Sequence, residues 1–356
     1  MVLKRIFAIL LTIIFIFSAA IYILTDRELT KIGVAMPTKT RQRWNQDGAN
    51  IERGLMEQGY MVDLQYGNNE IDLQIEQIKK MIDEGCKIII IGAVDIYSLS
   101  DILDYAKNHN VKIISYDRLI MNTDAIDYYA TFDNLAVGTI QGEYIEEKLD
   151  LKNGKGPYNL EITAGSLDDS NTIFFFEGAM EILRPYIKNG QLVVNSGQVA
   201  MKDCAISHWK EALARERMKN ILQNYYSDKN LDVALCPNDS TAIGVIGALS
   251  DAGYYTDNKK IPLVTGQDAD KKNVKLILNG EQTMSIFKDT RILANQVVKM
   301  VNAIIEGKEP ETNDIGNYSN GVKVVPSFLI RPQFVDKDNL EELLIDSGYY
   351  SADILE

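Results

Sequence analysis

Cysteine is scarce in this chain, with only Cys86, Cys204 and Cys236 among 356 residues. Three cannot make a disulfide framework at this length. Cys86 and Cys236 border apolar segments and read as small buried residues, whereas Cys204 falls in a polar loop; a single incidental bridge is left open. Basic clusters are lacking as well. The net charge is −13, and Lys79-Lys80, Lys259-Lys260 and Lys271-Lys272 are isolated pairs, which excludes nucleic acid as a partner because phosphate recognition demands a basic face. Signatures of catalysis are also missing. His109 and His208 are the only histidines, and no dinucleotide fingerprint, phosphate loop, nucleophile elbow or zinc-like spacing occurs. Asp168 and Asp169 form the one carboxylate pair that suggests acid–base work, but neighbours in a turn point apart. The chain reads as a binding protein without a cofactor, not an enzyme.

What is present begins with a short basic stretch (Lys4, Arg5) followed by an apolar run at 6–24 broken only by Thr12 and Ser18. At 1.5 Å per residue this run covers roughly 28 Å, close to the hydrocarbon thickness of a bilayer. Thirteen of its residues are Ile, Leu or Phe; at about −0.5 kcal/mol each, they favour insertion by on the order of 6 kcal/mol. Residues 1–29 are therefore expected to form a cytoplasmic stub, an uncleaved single-pass anchor and a short linker. Lys4 and Arg5 would hold the N-terminus in the cytoplasm, with everything after Asp26 outside. Cleavage of a signal peptide after Ser18-Ala19-Ala20 is the alternative, although it leaves an apolar new terminus at 21–24. No cysteine precedes Cys86, so the tether is not a lipid on cysteine.

The remainder is 46% hydrophobic and 24% charged by whole-chain composition, a folded composition long enough for two lobes. Apolar runs alternate with helical patterns. Strands are expected at 31–36, 61–66, 87–91, 111–116, 158–163, 192–196, 233–236, 261–266 and 283–287. Helices are expected at 42–59, 70–84, 98–110, 134–149, 171–188, 211–225 and 240–252, with a short one at 273–278. Ile71, Ile75, Ile78 and Ile82 make one helical stripe, and the uninterrupted KIIII at 87–91 suits a parallel strand covered on both faces. A break in rhythm at 128–134 (YYATFDN) divides the chain into two similar halves. The fold class is α/β: two doubly wound parallel-sheet lobes with a ligand cleft between them.

The ends of the strands are polar in a patterned way. They deliver Thr38, Lys39, Arg41, Arg43 and Trp44, then Asp117-Arg118, the run from Gly165 to Asn171, Asn238-Asp239, Gln267-Asp268 and Lys288-Asp289. Carboxylates, amides and guanidinium forks match a polyhydroxylated ligand, because each hydroxyl both donates and accepts. Trp44 and Trp209 are the only tryptophans, suited to the C–H faces of a pyranose or to ordinary packing. An Asp or Asn at such a junction is equally placed to cap a helix, with Asp169 and Asp239 the clearest candidates for both roles.

These residues resemble the xylose-binding and multiple-sugar-binding branch of the periplasmic binding proteins, over 31–356. The specific stretches are Met36-Pro37-Thr38, Arg43-Trp44, the run YDRLI from Tyr116, TFDN from Thr131, TGQDAD from Thr265 and GVKVVPS from Gly321. The resemblance implies that Arg43, Trp44, Asp117, Arg118, Asp169, Asn171, Trp209, Asn238, Asp239, Asp268 and Lys288 bind a monosaccharide, D-xylose foremost or a related aldose. It implies a hinge of three crossing strands near 132–134, 287–289 and 325–327. The N-terminal lobe is then 30–132 plus 289–325, and the C-terminal lobe 133–288 plus 326–356. Leu167 and Ser170 depart from the family's usual proline and asparagine, and 204–207 is also unlike its relatives. The expected anchor departs most, since it suits a receptor reporting to a membrane partner. Binding proteins of this type serve as co-receptors for sensor histidine kinases; the other partner implied is an ABC transporter permease.

Overall fold

The computed structural model describes residues 30–256 and 259–355. The apolar run at 6–24 lies outside the described residues; among those described, no helix is long and apolar enough to cross a membrane. The first lobe is built on a six-stranded parallel sheet. In chain order its strands are β1 (Lys31–Met36), β2 (Met61–Tyr66), β3 (Ile88–Ile91), β4 (Lys112–Tyr116), β5 (Tyr128–Phe132) and β11 (Ser327–Ile330), arranged β2-β1-β3-β4-β5-β11. Period-two alternation divides its central strand between two cores. Ile89 and Ile91 join Ile78, Met81 and Leu103 beneath helices α2 (Ile71–Asp83) and α3 (Ser100–Asn108). Ile88 and Ile90 join Ile51, Leu55 and Val297 beneath α1 (Gln42–Glu57) and α9 (Thr290–Ile305).

The second lobe has a four-stranded parallel sheet, β7-β6-β8-β9, from β6 (Tyr158–Ile162), β7 (Leu192–Val193), β8 (Val233–Leu235) and β9 (Leu263–Val264). A bridge from Gln267 to Ile286 continues it to β10 (Met284–Phe287), which pairs antiparallel with β12 (Gln333–Asp336). Helices α4 (Asn134–Lys148) and α5 (Asn171–Lys188) pack tightly, because a Cβ at Gly138 would stand 2.0 Å from the Phe175 carbonyl oxygen. Helices α6 (Glu211–Tyr225), α7 (Asp239–Asp251) and α8 (Lys271–Leu278) complete the lobe.

Several expectations change here. The segment at 128–134 interrupts the alternation because no helix joins β4 to β5, yet 128–132 is itself a strand. The strands expected at 192–196 and 261–266 shrink to two residues each. Strand β11 pairs with β5 in the first sheet, so the third crossing falls at 331–332 and not near 325–327. Assigning all of 326–356 to the C-terminal lobe therefore misplaces β11, whose backbone is satisfied by the other sheet. The first two crossings follow β5 and β10. Each is capped at once: Asp133 accepts from Ala136 N (3.0 Å) and Asp289 from Arg291 N (3.0 Å). All three cysteines are free and buried, Cys204 included; its loop folds into a helical turn whose thiol donates to the Gln198 carbonyl (3.2 Å).

Candidate functional site

A cavity of about 170 Å³ lies between the lobes, at the carboxyl ends of both sheets. Arg43 is its hub. Emerging from the first turn of α1, it places Nη2 2.5 Å from Asp117 Oδ1, Nη1 3.3 Å from Asp268 Oδ1 and Nε 3.2 Å from Asp47 Oδ2. Burial works against its charge, but Asp117, Asp47 and Asp268 together outweigh burial and raise its pKa well above the usual value. For Asp117, burial is outweighed by Arg43, Lys288 and Arg118, and its carboxyl is held below the usual range. Asp47 faces the lobe interior, bonded to Tyr116 Oη (2.5 Å), and burial pushes it up to about 6 despite Arg43.

The backbone is bent to present these groups. Among the described residues, five of the ten non-glycine positions with positive φ lie here: Asp117 (61°), His208 (51°), Trp209 (56°), Asp268 (98°) and Ala269 (50°). Such positions cost on the order of 1–3 kcal/mol each and persist only when their surroundings over-determine them. Asp117 shows how. Its N–H continues the sheet to the Ala130 carbonyl (2.8 Å), and its carbonyl accepts from Tyr129 Oη (2.7 Å), Thr131 Oγ1 (3.1 Å) and Asn171 Nδ2 (2.8 Å).

Capping and site roles coincide at Asn238, not at the expected Asp239. Asn238 spends Oδ1 on Thr241 N (3.0 Å) as the cap of α7, which leaves its amide N–H groups for the cavity. Asp169 gives Oδ1 to Asn171 N (3.0 Å) and Oδ2 to Arg118 Nε (3.0 Å). Asn171 also accepts from Asn134 Nδ2 (2.8 Å), so it ties the hinge and lines the cavity at once. Lys288, 1% exposed, has Nζ 3.4 Å from Asp268 Oδ1 and close to the faces of Phe132 and Phe175. Burial and Arg43 lower its pKa, against Asp268 and Asp117. Trp44 lies near both Arg43 and Arg118, whose Cζ atoms are 5.6 and 5.4 Å from its ring centroid. Trp209 stands edge-on to Phe175 at 6.2 Å, and its ring rests on Gly165, where a Cβ would be 2.1 Å from Cη2.

Ten of the eleven expected residues line this cavity; Asp239 does not. Asn238 takes the cap, so Asp239 begins the helix and turns inward. There its oxygens accept from Gln282 Nε2 (2.9 Å), Ser285 Oγ (2.9 Å) and the Asp270 N–H (2.8 Å), and burial raises its pKa well above the usual range. The full expected set omits Thr40, Arg41, Gln42, Phe175, Ser240, Gln267 and Asp270, which also line the cavity. Arg41 and Gln267 were legible as strand-end residues; Phe175, one of three consecutive phenylalanines, carried no signal of which ring faces the cleft. Asp270 is pushed up to about 7 by burial and by Asp268.

The lining carries four cationic side chains (Arg41, Arg43, Arg118, Lys288) and four carboxylic ones (Asp117, Asp169, Asp268, Asp270). Gln267 Oε1 and Trp209 Nε1 are buried without partners, and such atoms ask for a ligand. Balanced charge, dense donors and acceptors, and flanking indoles fit one small neutral molecule rich in hydroxyls. The volume is below the 300–1,000 Å³ typical of drug-sized pockets.

Residues 32–309 match the family model for a periplasmic binding protein domain. The chain is 49% identical over 324 residues to the multiple sugar-binding periplasmic receptor ChvE of Rhizobium radiobacter, covering 91% of this chain and 92% of that one. It is 32% identical over 322 residues to the D-xylose-binding periplasmic protein of Escherichia coli, covering 90% and 91%. An ABC transporter solute binding protein from Clostridium phytofermentans, solved with bound β-D-glucose, is similar at 53% identity with a TM-score of 0.88, covering 92% of this chain and all of that one.

Proposed function

The chain belongs to the periplasmic binding protein family, and from that premise we propose that it is an extracytoplasmic receptor for an aldopyranose, with D-xylose foremost and D-glucose next. The observation that carries this reading is the charge-balanced cavity of about 170 Å³ between the two lobes. A monosaccharide has about ten to twelve non-hydrogen atoms, so micromolar binding at about −8 kcal/mol is roughly −0.7 kcal/mol per atom, within the range small ligands reach. The sugar acts by holding the lobes together, since only a ligand touching both favours closure. The function is recognition; nothing in the reading calls for bond breaking. Calorimetry against a panel of pentoses and hexoses tests it, and a panel giving neither heat nor thermal stabilisation overturns it.

The finer proposal is that this receptor signals. The apolar run at 6–24 is read as an anchor that keeps the receptor in the same membrane as a sensor histidine kinase. Co-tethering raises the effective concentration to about millimolar, so a weak contact between the closed lobes and the kinase's extracytoplasmic domain is occupied. By linkage, sugar and kinase then strengthen each other's binding by one factor. The second reading is delivery to an ABC transporter permease, favoured by the similarity to a transporter's solute binding protein. Deleting the gene distinguishes them. Lost sugar-induced transcription with intact uptake supports the sensor; lost uptake with normal induction supports transport.

A further inference from the structure

Arg41 stands between two cavities. Besides the inner one, a chamber of about 410 Å³ adjoins it toward solvent, and the two share Thr40, Arg41, Trp44, Arg118 and Trp209 as walls. Arg41 crosses from the first lobe to the second, donating from Nη2 to the His208 carbonyl oxygen at 2.6 Å. That acceptor is held in place. His208 sits at φ 51° and is followed by Trp209 at φ 56°, its N–H donates to Ser166 Oγ (2.7 Å), and its Nδ1 is 3.0 Å from Asp168 Oδ2. The base of Arg41 is held too. The adjacent Gln42 donates from Nε2 to Tyr350 Oη (2.5 Å) and accepts from the Lys271 N–H (3.3 Å), both in the second lobe. The guanidinium therefore closes a wall whose two ends are anchored.

The outer chamber is chemically suited to more sugar. Asp95, Asp168 and Lys210 offer hydroxyl partners, while Ile71 and Val94 supply an apolar side for ring C–H groups. It is more than twice the volume of the inner cavity, so it has room for a second ring that the inner one lacks. We propose that Arg41 is a specificity gate: its bond to His208 confines the ligand to one unsubstituted sugar ring, and its removal lets the second unit of a glycoside or disaccharide extend into the outer chamber. This inference rests on the monosaccharide-receptor reading and adds a limit on ligand length.

The test is calorimetry of the parent protein and Arg41→Ala with the preferred monosaccharide, its methyl glycosides and its disaccharides. Arg41→Ser serves in place of the alanine variant if that one is unstable by thermal denaturation. The parent is expected to prefer the free sugar by about a hundredfold or more, the scale on which a steric wall discriminates. In the variant that ratio should fall at least about tenfold for one or more of the extended ligands, even though loss of a cationic donor weakens every ligand somewhat. Adding Lys210→Trp, which fills the chamber from an exposed position, should restore the parent's preference. An unchanged ratio across the whole panel, or a parent that already binds disaccharides as tightly as the free sugar, overturns the gate while leaving the receptor reading intact. A parent that binds no monosaccharide overturns both.

Discussion

Arg118 and Asp169 meet across the cleft, one from each lobe, with Nε 3.0 Å from Oδ2. Each is fixed on its own side: Arg118 Nη1 donates to the carbonyls of Ala93 (2.9 Å) and Val94 (3.2 Å), and Asp169 Oδ1 accepts from the Asn171 N–H (3.0 Å). The pair therefore forms only when the lobes are together. Truncating Arg118 to Ala should weaken sugar binding by about 2–4 kcal/mol, because Asp169 is left buried without its partner. Asp117→Ala, Asn238→Ala and Asp268→Ala should each cost a similar amount by calorimetry. The Asp117 and Asp268 losses should not add, since both carboxylates bond Arg43. Parent-like binding by all four variants would mean the site lies elsewhere.

Closure should be visible in solution. Cross-lobe contacts include Arg43 to Asp268 (3.3 Å), Leu119 N to Ser170 Oγ (3.1 Å) and Arg41 to the His208 carbonyl (2.6 Å). Opening returns these largely buried polar groups to water, so each link nets only about 1–3 kcal/mol, and contacts from a ligand to both lobes decide the balance. Small-angle scattering is expected to give a larger radius of gyration without sugar than with saturating sugar. Equal radii count against a hinge driven by the ligand.

Gly165 tests the seat of Trp209. Its φ is not in the left-handed region, so Gly165→Ala should act through space alone: the new Cβ would meet Trp209 Cη2 at 2.1 Å and Thr172 Oγ1 at 2.6 Å. Overpacking of this order costs about 1–3 kcal/mol and must tilt the indole out of the cavity wall. We expect a changed tryptophan emission spectrum and weaker sugar binding. Unaltered fluorescence and affinity would show that the indole does not line the bound sugar.

The pH dependence of stability reports on Asp270. Burial first, and then Asp268, push its carboxyl up to about 7 from an ordinary value of 3.8. Between those values the folded chain keeps a proton that the unfolded chain has released. Its contribution to stability is thus full below about pH 4 and lost as the pH rises toward 7. Asp270→Asn removes this dependence. Thermal denaturation without sugar should show the variant gaining on the parent between about pH 5 and about pH 8, by on the order of 1–2 kcal/mol. A constant difference across that window argues that Asp270 titrates normally.

Much of the site was readable because a doubly wound sheet puts function in one predictable place, the carboxyl ends of its strands. Asp117-Arg118, Asn238, Asp268 and Lys288 follow strands marked by apolar runs, and the structure draws them around one cavity. What misled was direction within a junction. Asn238 and Asp239 are equally polar and adjacent, yet one faces the cavity and the other the lobe interior, since the capping residue sets how the next side chain turns. The short edge strands and the place of β11 were illegible for a related reason: a strand's partner is chosen by the sheet that offers it free backbone groups.

Sequence alone determined the α/β alternation, the buried central strand at 88–91 and the strand ends that carry charge. Periodicity and apolar content act locally, so they survive reading along a line. Tertiary structure alone decided that Arg43 serves three carboxylates, that Cys204 is buried, and that Arg41 reaches a strained carbonyl 167 residues away. Those relations depend on how two lobes close on each other, and no local preference in the chain encodes that distance.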